Sequence, residues 1–87
     1  MDQALSTAEL GRLQWRCRRG LLENDLVLAR FFRRHGDGLT ADQGAALAQL
    51  MDLSDPDLLE LLLARREPDG DLATPDVQAL LGLLRQP

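Results

Sequence analysis

Residues 15–25 form the stretch Trp15-Arg16-Cys17-Arg18-Arg19-Gly20-Leu21-Leu22-Glu23-Asn24-Asp25, called the motif segment below. This segment predicts a corner between two helices. Gly20 favours the end of the first helix, because a residue without a Cβ enters the left-handed conformation at little cost. Asn24 favours the start of the second helix, because its side chain can accept hydrogen bonds from free backbone N–H groups. Arg19 and Glu23 lie between these two signals, so we expect the chain to bend past them.

The charges of the motif segment have a structural and a functional interpretation. In the structural one, Arg18 and Arg19 end a helix, where cations meet the negative end of the helix dipole, and Glu23 lies near the start of the next helix, where an acid is favoured. In the functional one, Arg19, Gly20 and Glu23 form an exposed recognition corner, because glycine lets a partner approach and arginine offers a rigid fork of donors to carboxylate or phosphate. Spacing alone favours the structural interpretation, since charged residues are common at helix ends.

Capping signals and apolar periodicity predict five short helices. The first is expected from about Thr7 to Arg19 and the second from about Asn24 to Arg34, with Arg30, Arg33 and Arg34 at its solvated end. The predicted caps are Ser6, Asn24, Thr40, Asp55 and Thr74. The predicted core positions are Leu10, Leu13, Cys17, Leu28, Phe31, Phe32, Ala46, Leu47, Leu50, Met51, Val77, Leu80, Leu81 and Leu84. Residues 58–64 are apolar apart from one glutamate, which predicts that the fourth helix is the central one. We therefore expect an all-α fold, a compact bundle of five short helices in one domain over residues 1–87.

The composition argues against a membrane span and against an enzyme. No apolar run approaches the roughly 20 residues of a membrane span. Met1 to Leu10 is neither basic nor apolar enough for a signal or transit peptide, so a cytoplasmic location is expected. One cysteine, Cys17, and one histidine, His35, cannot supply an ordinary structural zinc site, and His35 is expected to be solvated in a turn. We predict no catalytic residue, no metal and no stably bound cofactor.

Charge is unevenly distributed along the chain, whose net charge is −4. Residues 12–34 contain seven arginines against two acids, whereas residues 35–87 contain three arginines against ten acids. This polarity predicts a basic first third that faces a negatively charged partner.

The motif segment resembles the signature of the succinate dehydrogenase assembly factors, the small proteins called SdhE or flavinator in bacteria. Their hallmark, Arg-Gly-x-x-Glu, is met by Arg19, Gly20 and Glu23. The match extends to Trp15, Arg16-Cys17-Arg18 and Asp25, and Ser54-Asp55-Pro56-Asp57-Leu58-Leu59 is similar to the acidic helix start of that family. Asn24 departs from the pattern, which has an apolar residue there, and this leaves the start of the second helix open. The resemblance covers about Leu10 to Arg85.

This resemblance implies an assembly chaperone. Such a protein binds the flavoprotein subunit of succinate dehydrogenase, or of the related fumarate reductase, and promotes covalent attachment of FAD to a histidine of that subunit. It is expected to act on the FAD of its client, to bind no membrane and to be a monomer. The implied partner-binding residues are Arg19, Gly20, Glu23, Arg18, Arg16, Asp25 and Trp15. For Trp15, a core position is an equally good interpretation.

An antitoxin-like or nucleic-acid-binding regulatory module is the alternative hypothesis. A small helical protein with an arginine-rich segment permits it. The negative net charge and the scarcity of base-stacking aromatic residues argue against it.

Overall fold

The computed structural model describes residues 4–17 and 22–86, and these residues fold into five α-helices without a β-strand. The helices are α1 (Thr7–Arg16), α2 (Leu22–His35), α3 (Ala41–Met51), α4 (Asp55–Leu62) and α5 (Pro75–Leu84). Two short 3-10 turns, Gly36–Gly38 and Gly70–Leu72, precede α3 and α5. The predicted all-α bundle of five short helices is confirmed.

Three of the five predicted caps are confirmed in atomic detail. The Ser6 hydroxyl accepts from the Glu9 N–H at 3.1 Å, and the Glu9 carboxylate accepts from the Ser6 N–H at 3.1 Å. Thr40 and Gln43 form the same capping box at the start of α3, at 3.1 and 2.9 Å. The Thr74 hydroxyl accepts from the N–H of Val77 at 3.2 Å. Each cap satisfies a backbone donor that the first helical turn leaves without a partner.

The other two predicted caps are wrong. Ser54, not Asp55, caps α4, because its hydroxyl accepts from the Asp57 N–H at 3.3 Å and Asp55 already lies inside the first turn. Asn24 does not begin α2, which starts at Leu22, and its side chain is fully buried. The first helix was predicted to reach Arg19, but α1 ends at Arg16, and residues 18–21 lie outside the described part of the chain.

The apolar positions predicted from periodicity line the core. Eleven of the fourteen are buried, and the remaining three, Leu10, Leu13 and Phe32, are half-buried and pack against the buried set. The fourth helix is not the central one, since α3 and α5 share the largest contact and bury five and four residues, against three in α4. The reason is that α4 stops at Leu62, where the chain turns outward and leaves Leu63 about half exposed.

Two side chains predicted to be solvated are instead engaged in packing. His35 is half-buried, and its ring lies 5.4 Å from that of Phe31, so the prediction of a solvated turn residue is wrong. Arg30, expected at the solvated end of α2, donates to the Leu84 carbonyl at 3.3 Å. This bond attaches α2 to the end of α5.

The end of α1 and the start of α2, which belong to the motif segment, both lie beside the connection between α3 and α4. α1 packs against α3, and α2 packs against α4 and α5, while α3 and α5 share the largest contact. Gly44 allows the residues just before α1 to approach α3 closely, because a Cβ there would lie 3.0 Å from a methyl carbon of Leu5; a methyl carbon of Leu13, in α1, would lie 3.6 Å away. The α3–α4 turn, residues 52–54, and the start of α4 lie beside both α1 and α2, because Arg16 donates to Asp52 and Asn24 donates to Asp55. None of the helices in the described part of the chain has the length and apolarity needed to cross a bilayer.

Candidate functional site

The structure describes four of the seven predicted partner-binding residues. Trp15 and Arg16 form the last two positions of α1, and Glu23 and Asp25 lie in the first turn of α2. The other three, Arg18, Arg19 and Gly20, lie outside the described residues. The described residues therefore define the two sides of the predicted corner.

Trp15 is not a core residue. Its side chain is 72% exposed, although it lies two positions before Cys17, which is 4% exposed. Tryptophan is highly buried on average and is enriched at protein interfaces. The core interpretation of Trp15 is therefore wrong, and the interface interpretation gains support.

Arg16 forms an ion pair with the α3–α4 turn. Its Nη2 donates to Oδ1 of Asp52 at 2.5 Å, and the two side chains are 50% and 72% exposed. A pair this exposed stabilises a fold by only about 0–1 kcal/mol. The pair holds the guanidinium in one place while half of the arginine side chain remains accessible.

The first turn of α2 combines exposed acids with a buried amide. Glu23 is exposed and Asp25 is half-buried, and both carboxylates lie where the helix dipole favours negative charge. Asn24, between them, is fully buried, and its Nδ2 donates to the Asp55 carbonyl at 3.1 Å. This hydrogen bond satisfies the amide donor but offsets only part of the cost of burial, because the amide oxygen Oδ1 is buried without a hydrogen-bond partner.

Two leucines that the sequence reasoning missed extend the exposed surface of α2. Leu22 is 66% exposed and Leu26 is 62% exposed. They are four residues apart, so they share a helix face, which lies roughly 120–160° around α2 from the buried Leu28 at about 100° per residue. The sequence contained a signal for this surface, because the periodicity of α2 places Leu22 and Leu26 on a different face from the core residues.

Other surface features lie away from the motif segment. A shallow groove of about 310 Å³ runs between α3 and α5 and is rimmed by Asp42 and Asp76. It contains none of the predicted partner-binding residues. Within the described ranges 4–17 and 22–86, no three His, Cys, Asp or Glu side chains are grouped so that they could hold a metal ion.

Comparison with known proteins identifies the family to which the chain is similar. The family described as "Flavinator of succinate dehydrogenase" matches residues 11–86. The chain is 55% identical over 74 residues to the FAD assembly factor SdhE of Ralstonia nicotianae, covering 85% of this chain and 78% of the relative. It is 41% identical over 68 residues to the FAD assembly factor SdhE of Legionella pneumophila strain Lens, covering 78% of this chain and 86% of the relative.

A third relative extends the similarity to another genus. The FAD assembly factor SdhE of Coxiella burnetii is 38% identical over 59 residues, covering 68% of this chain and 72% of the relative. These matches favour the assembly-factor hypothesis over the antitoxin-like or nucleic-acid-binding alternative. The chain therefore belongs to the family of succinate dehydrogenase flavinators, which are FAD assembly factors rather than enzymes.

Proposed function

We propose that this protein binds the flavoprotein subunit of succinate dehydrogenase, or of the related fumarate reductase, through the motif segment. Bound there, it promotes the covalent attachment of FAD to a histidine of that subunit. One observation carries the proposal: exposed apolar and charged side chains lie within and beside the Arg-Gly-x-x-Glu sequence, on both α1 and α2. Trp15 lies on the α1 side, and Leu22, Glu23 and Leu26 lie on the α2 side.

The chemistry of attachment explains why a positively charged protein would help. The carbon–nitrogen bond forms within the client, after the 8α-methyl group of the flavin loses a proton and negative charge builds on the ring. Attachment is faster when histidine and flavin are held in reacting geometry and when positive charge is fixed near the ring. An assembly factor can supply both effects without forming a bond itself.

Within this proposal each residue of the motif segment has a role. Arg19 and Gly20 dock at the flavin site of the client, and Glu23 orients Arg19 or pairs with a cation of the client. Arg18, Arg16 and Trp15 widen the contact, and Asp25 braces the corner. Three features of the described residues support these roles: Glu23 is exposed, Asp25 is half-buried, and half of the Arg16 side chain remains accessible beside its ion pair.

The exposed leucines support docking on a protein surface rather than on a free cofactor alone. Interfaces bury apolar and aromatic anchors at their centre and surround them with polar groups. Trp15, Leu22 and Leu26 supply such anchors next to the arginines of the motif segment.

We propose that the protein is a cytoplasmic, single-domain monomer that binds FAD only as part of its client.

Co-expression of the client with this protein tests the proposal. The flavoprotein subunit is produced in a host that lacks its own assembly factor, and covalent flavin is measured by in-gel fluorescence. We expect Gly20→Arg and Glu23→Ala to lower covalent flavin strongly, with circular dichroism confirming that both variants are folded. Wild-type flavin attachment by a folded Gly20→Arg protein would contradict the placement of the docking site.

The chain offers a matched control for each variant. Gly82→Arg adds the same bulk and charge to α5, where a Cβ would meet nothing within 4 Å. Asp76→Ala removes an exposed acid from the first turn of α5, as Glu23→Ala does from the first turn of α2. Both controls are expected to leave flavin attachment at the wild-type level.

A further inference from the structure

The two sides of the motif segment are attached to one short piece of the fold. Arg16, at the end of α1, donates to the Asp52 carboxylate, and Asn24, in the first turn of α2, donates to the Asp55 carbonyl. The two acceptors are three residues apart in the chain. An extended chain spans at most about 3.6 Å per residue, so Asp52 and Asp55 are no more than about 11 Å apart. The segment from Asp52 to Asp55 thus contacts both sides of the motif segment at a short separation.

The side chain of Asp52 does not stabilise the C-terminal end of α3. Asp52 is the C-terminal cap residue of α3, where the negative end of the helix dipole disfavours a carboxylate. Its own capping bond is made by the backbone, since its N–H donates to the Gln49 carbonyl at 3.2 Å. The carboxylate is 72% exposed, so burial does not explain it either. Among the described residues, the carboxylate contacts Arg16.

The Arg16–Asp52 pair also differs from the other ion pairs of the described residues. It joins residues 36 positions apart at a separation of 2.5 Å. Ion pairs elsewhere among the described residues are Arg65–Glu60 at 3.7 Å, Arg66–Asp57 at 3.5 Å, Arg66–Asp69 at 3.7 Å and Arg85–Glu67 at 3.3 Å. All of these lie within residues 57–85, whereas Arg16–Asp52 links α1 to the α3–α4 turn beside the motif segment. A guanidinium has five N–H donors, so one contact with Asp52 leaves others for a partner.

We propose that Asp52 is a positioning residue that holds Arg16 in the orientation in which it meets the flavoprotein subunit. The inference rests on the proposed function and adds to it a residue outside the motif segment. Arginine has many rotamers, and a side chain that is already ordered loses less conformational entropy when the partner binds. Asp52 therefore acts on client affinity through Arg16 and touches no reacting group.

A double-mutant cycle tests this role. The four proteins are wild type, Asp52→Ala, Arg16→Ala and the double variant, and the measurement is the affinity for the FAD-loaded flavoprotein subunit by titration calorimetry. We expect Asp52→Ala to weaken binding about three- to fivefold in the wild-type background, the range of an exposed ion pair. In the Arg16→Ala background the same substitution is expected to have no further effect.

Thermal unfolding and a matched control separate positioning from stability. Asp52→Ala is expected to leave the melting temperature within a few degrees of wild type, because exposed pairs stabilise little. Glu67→Ala removes one negative charge and breaks the Arg85–Glu67 pair, and it is expected to leave client affinity unchanged.

The outcomes distinguish this inference from the proposed function. Unchanged affinity of Asp52→Ala, or an equal loss with and without Arg16, overturns the positioning role while the docking of the motif segment stands, provided that Glu23→Ala still weakens binding. If wild-type protein does not bind the flavoprotein subunit, the proposed function fails and this inference fails with it.

Discussion

α2 has apolar residues on two sides, and the two sides differ in what covers them. Leu28 and Phe31 are each 2% exposed and pack into the bundle, whereas Leu22 and Leu26 remain more than 60% exposed on another face of the same helix. Burial explains the first pair, because removing apolar surface from water stabilises the fold. It does not explain the second pair, which is better accounted for by contact with a partner. One face of α2 thus packs into the core and, in our proposal, another face contacts the client.

The largest effect is expected on the buried face. Leu28→Ala should lower the free energy of unfolding by about 2–5 kcal/mol, because it removes buried methyl groups and leaves a cavity. Urea unfolding followed by circular dichroism measures this loss. Leu26→Ala, on the exposed face, is the matched control and should change the free energy of unfolding by no more than about 0.5 kcal/mol. Equal losses from the two leucines would remove the contrast between the faces.

The exposed face of α2 is expected to contribute to client binding rather than to the stability of the fold. Replacing Leu22 and Leu26 together by serine is expected to weaken affinity for the flavoprotein subunit by about 1 kcal/mol or more, as for apolar anchors in interfaces. Fluorescence anisotropy of labelled protein measures this change. Leu63→Ser, which alters an exposed leucine just after α4, is the control and should bind as wild type does. Unaltered affinity of the double variant would mean that these leucines are not part of the interface.

Asn24 differs from both pairs of apolar residues, because its side chain is polar but buried. Asn24→Leu should change the free energy of unfolding by less than about 1 kcal/mol, because it removes both the hydrogen bond to Asp55 and the cost of burying the amide. Asn24→Ala should cost more, because it also leaves a void. A stability loss for Asn24→Leu as large as that for Leu28→Ala would show that the amide makes a stronger contribution than one hydrogen bond.

The smallest effect is expected at the start of α1, at the other end of that helix from Trp15 and Arg16. Hydrogen bonds from the Ser6 backbone N–H and the Ser6 hydroxyl hold the pKa of Glu9 below its usual value of 4.5. A lowered pKa means that the charged form stabilises the fold above pH 4.5 and that this contribution is lost as the pH falls through the folded-state pKa.

Glu9→Gln should therefore flatten the acid side of the stability–pH curve slightly, as measured by thermal unfolding between pH 3 and pH 7 (roughly one pKa unit or more on either side of the ordinary glutamate value). Client affinity near neutral pH should not change. A steeper acid dependence in the variant would contradict the assignment of the capping box.

Local signals predicted the parts of the fold that depend on neighbouring residues. The capping boxes at Ser6 and Thr40 follow from side chains three positions apart, so the sequence displays both partners together. The start of α4 was harder, because Ser54 and Asp55 are adjacent and both residue types favour a cap position. Which one caps depends on where the chain enters the helix, and packing of α4 against α2 and α5 decides that.

Features of the site that depend on distant residues had no such signal. The contact of Arg16 with Asp52 spans 36 positions, and that of Asn24 with Asp55 spans 31. Nothing in the spacing of these residues predicts that the fold brings them together. The exposure of Trp15 likewise depends on which side of α1 packs against α3, so the sequence left core and interface as equal interpretations. The Arg-Gly-x-x-Glu resemblance, by contrast, was readable at once because all its members lie within five residues.

The environment of Trp15 offers the most direct measurement, because it is the only tryptophan in the chain. Protein labelled with 5-fluorotryptophan gives one ¹⁹F resonance, and the shift of that resonance between H₂O and D₂O reports whether water reaches the indole. Unlabelled FAD-loaded flavoprotein subunit is added until size-exclusion chromatography shows a complete complex. We predict that the resonance moves and loses its solvent isotope shift in the complex. A complete complex in which the resonance and its solvent isotope shift are unchanged would contradict docking through the motif segment.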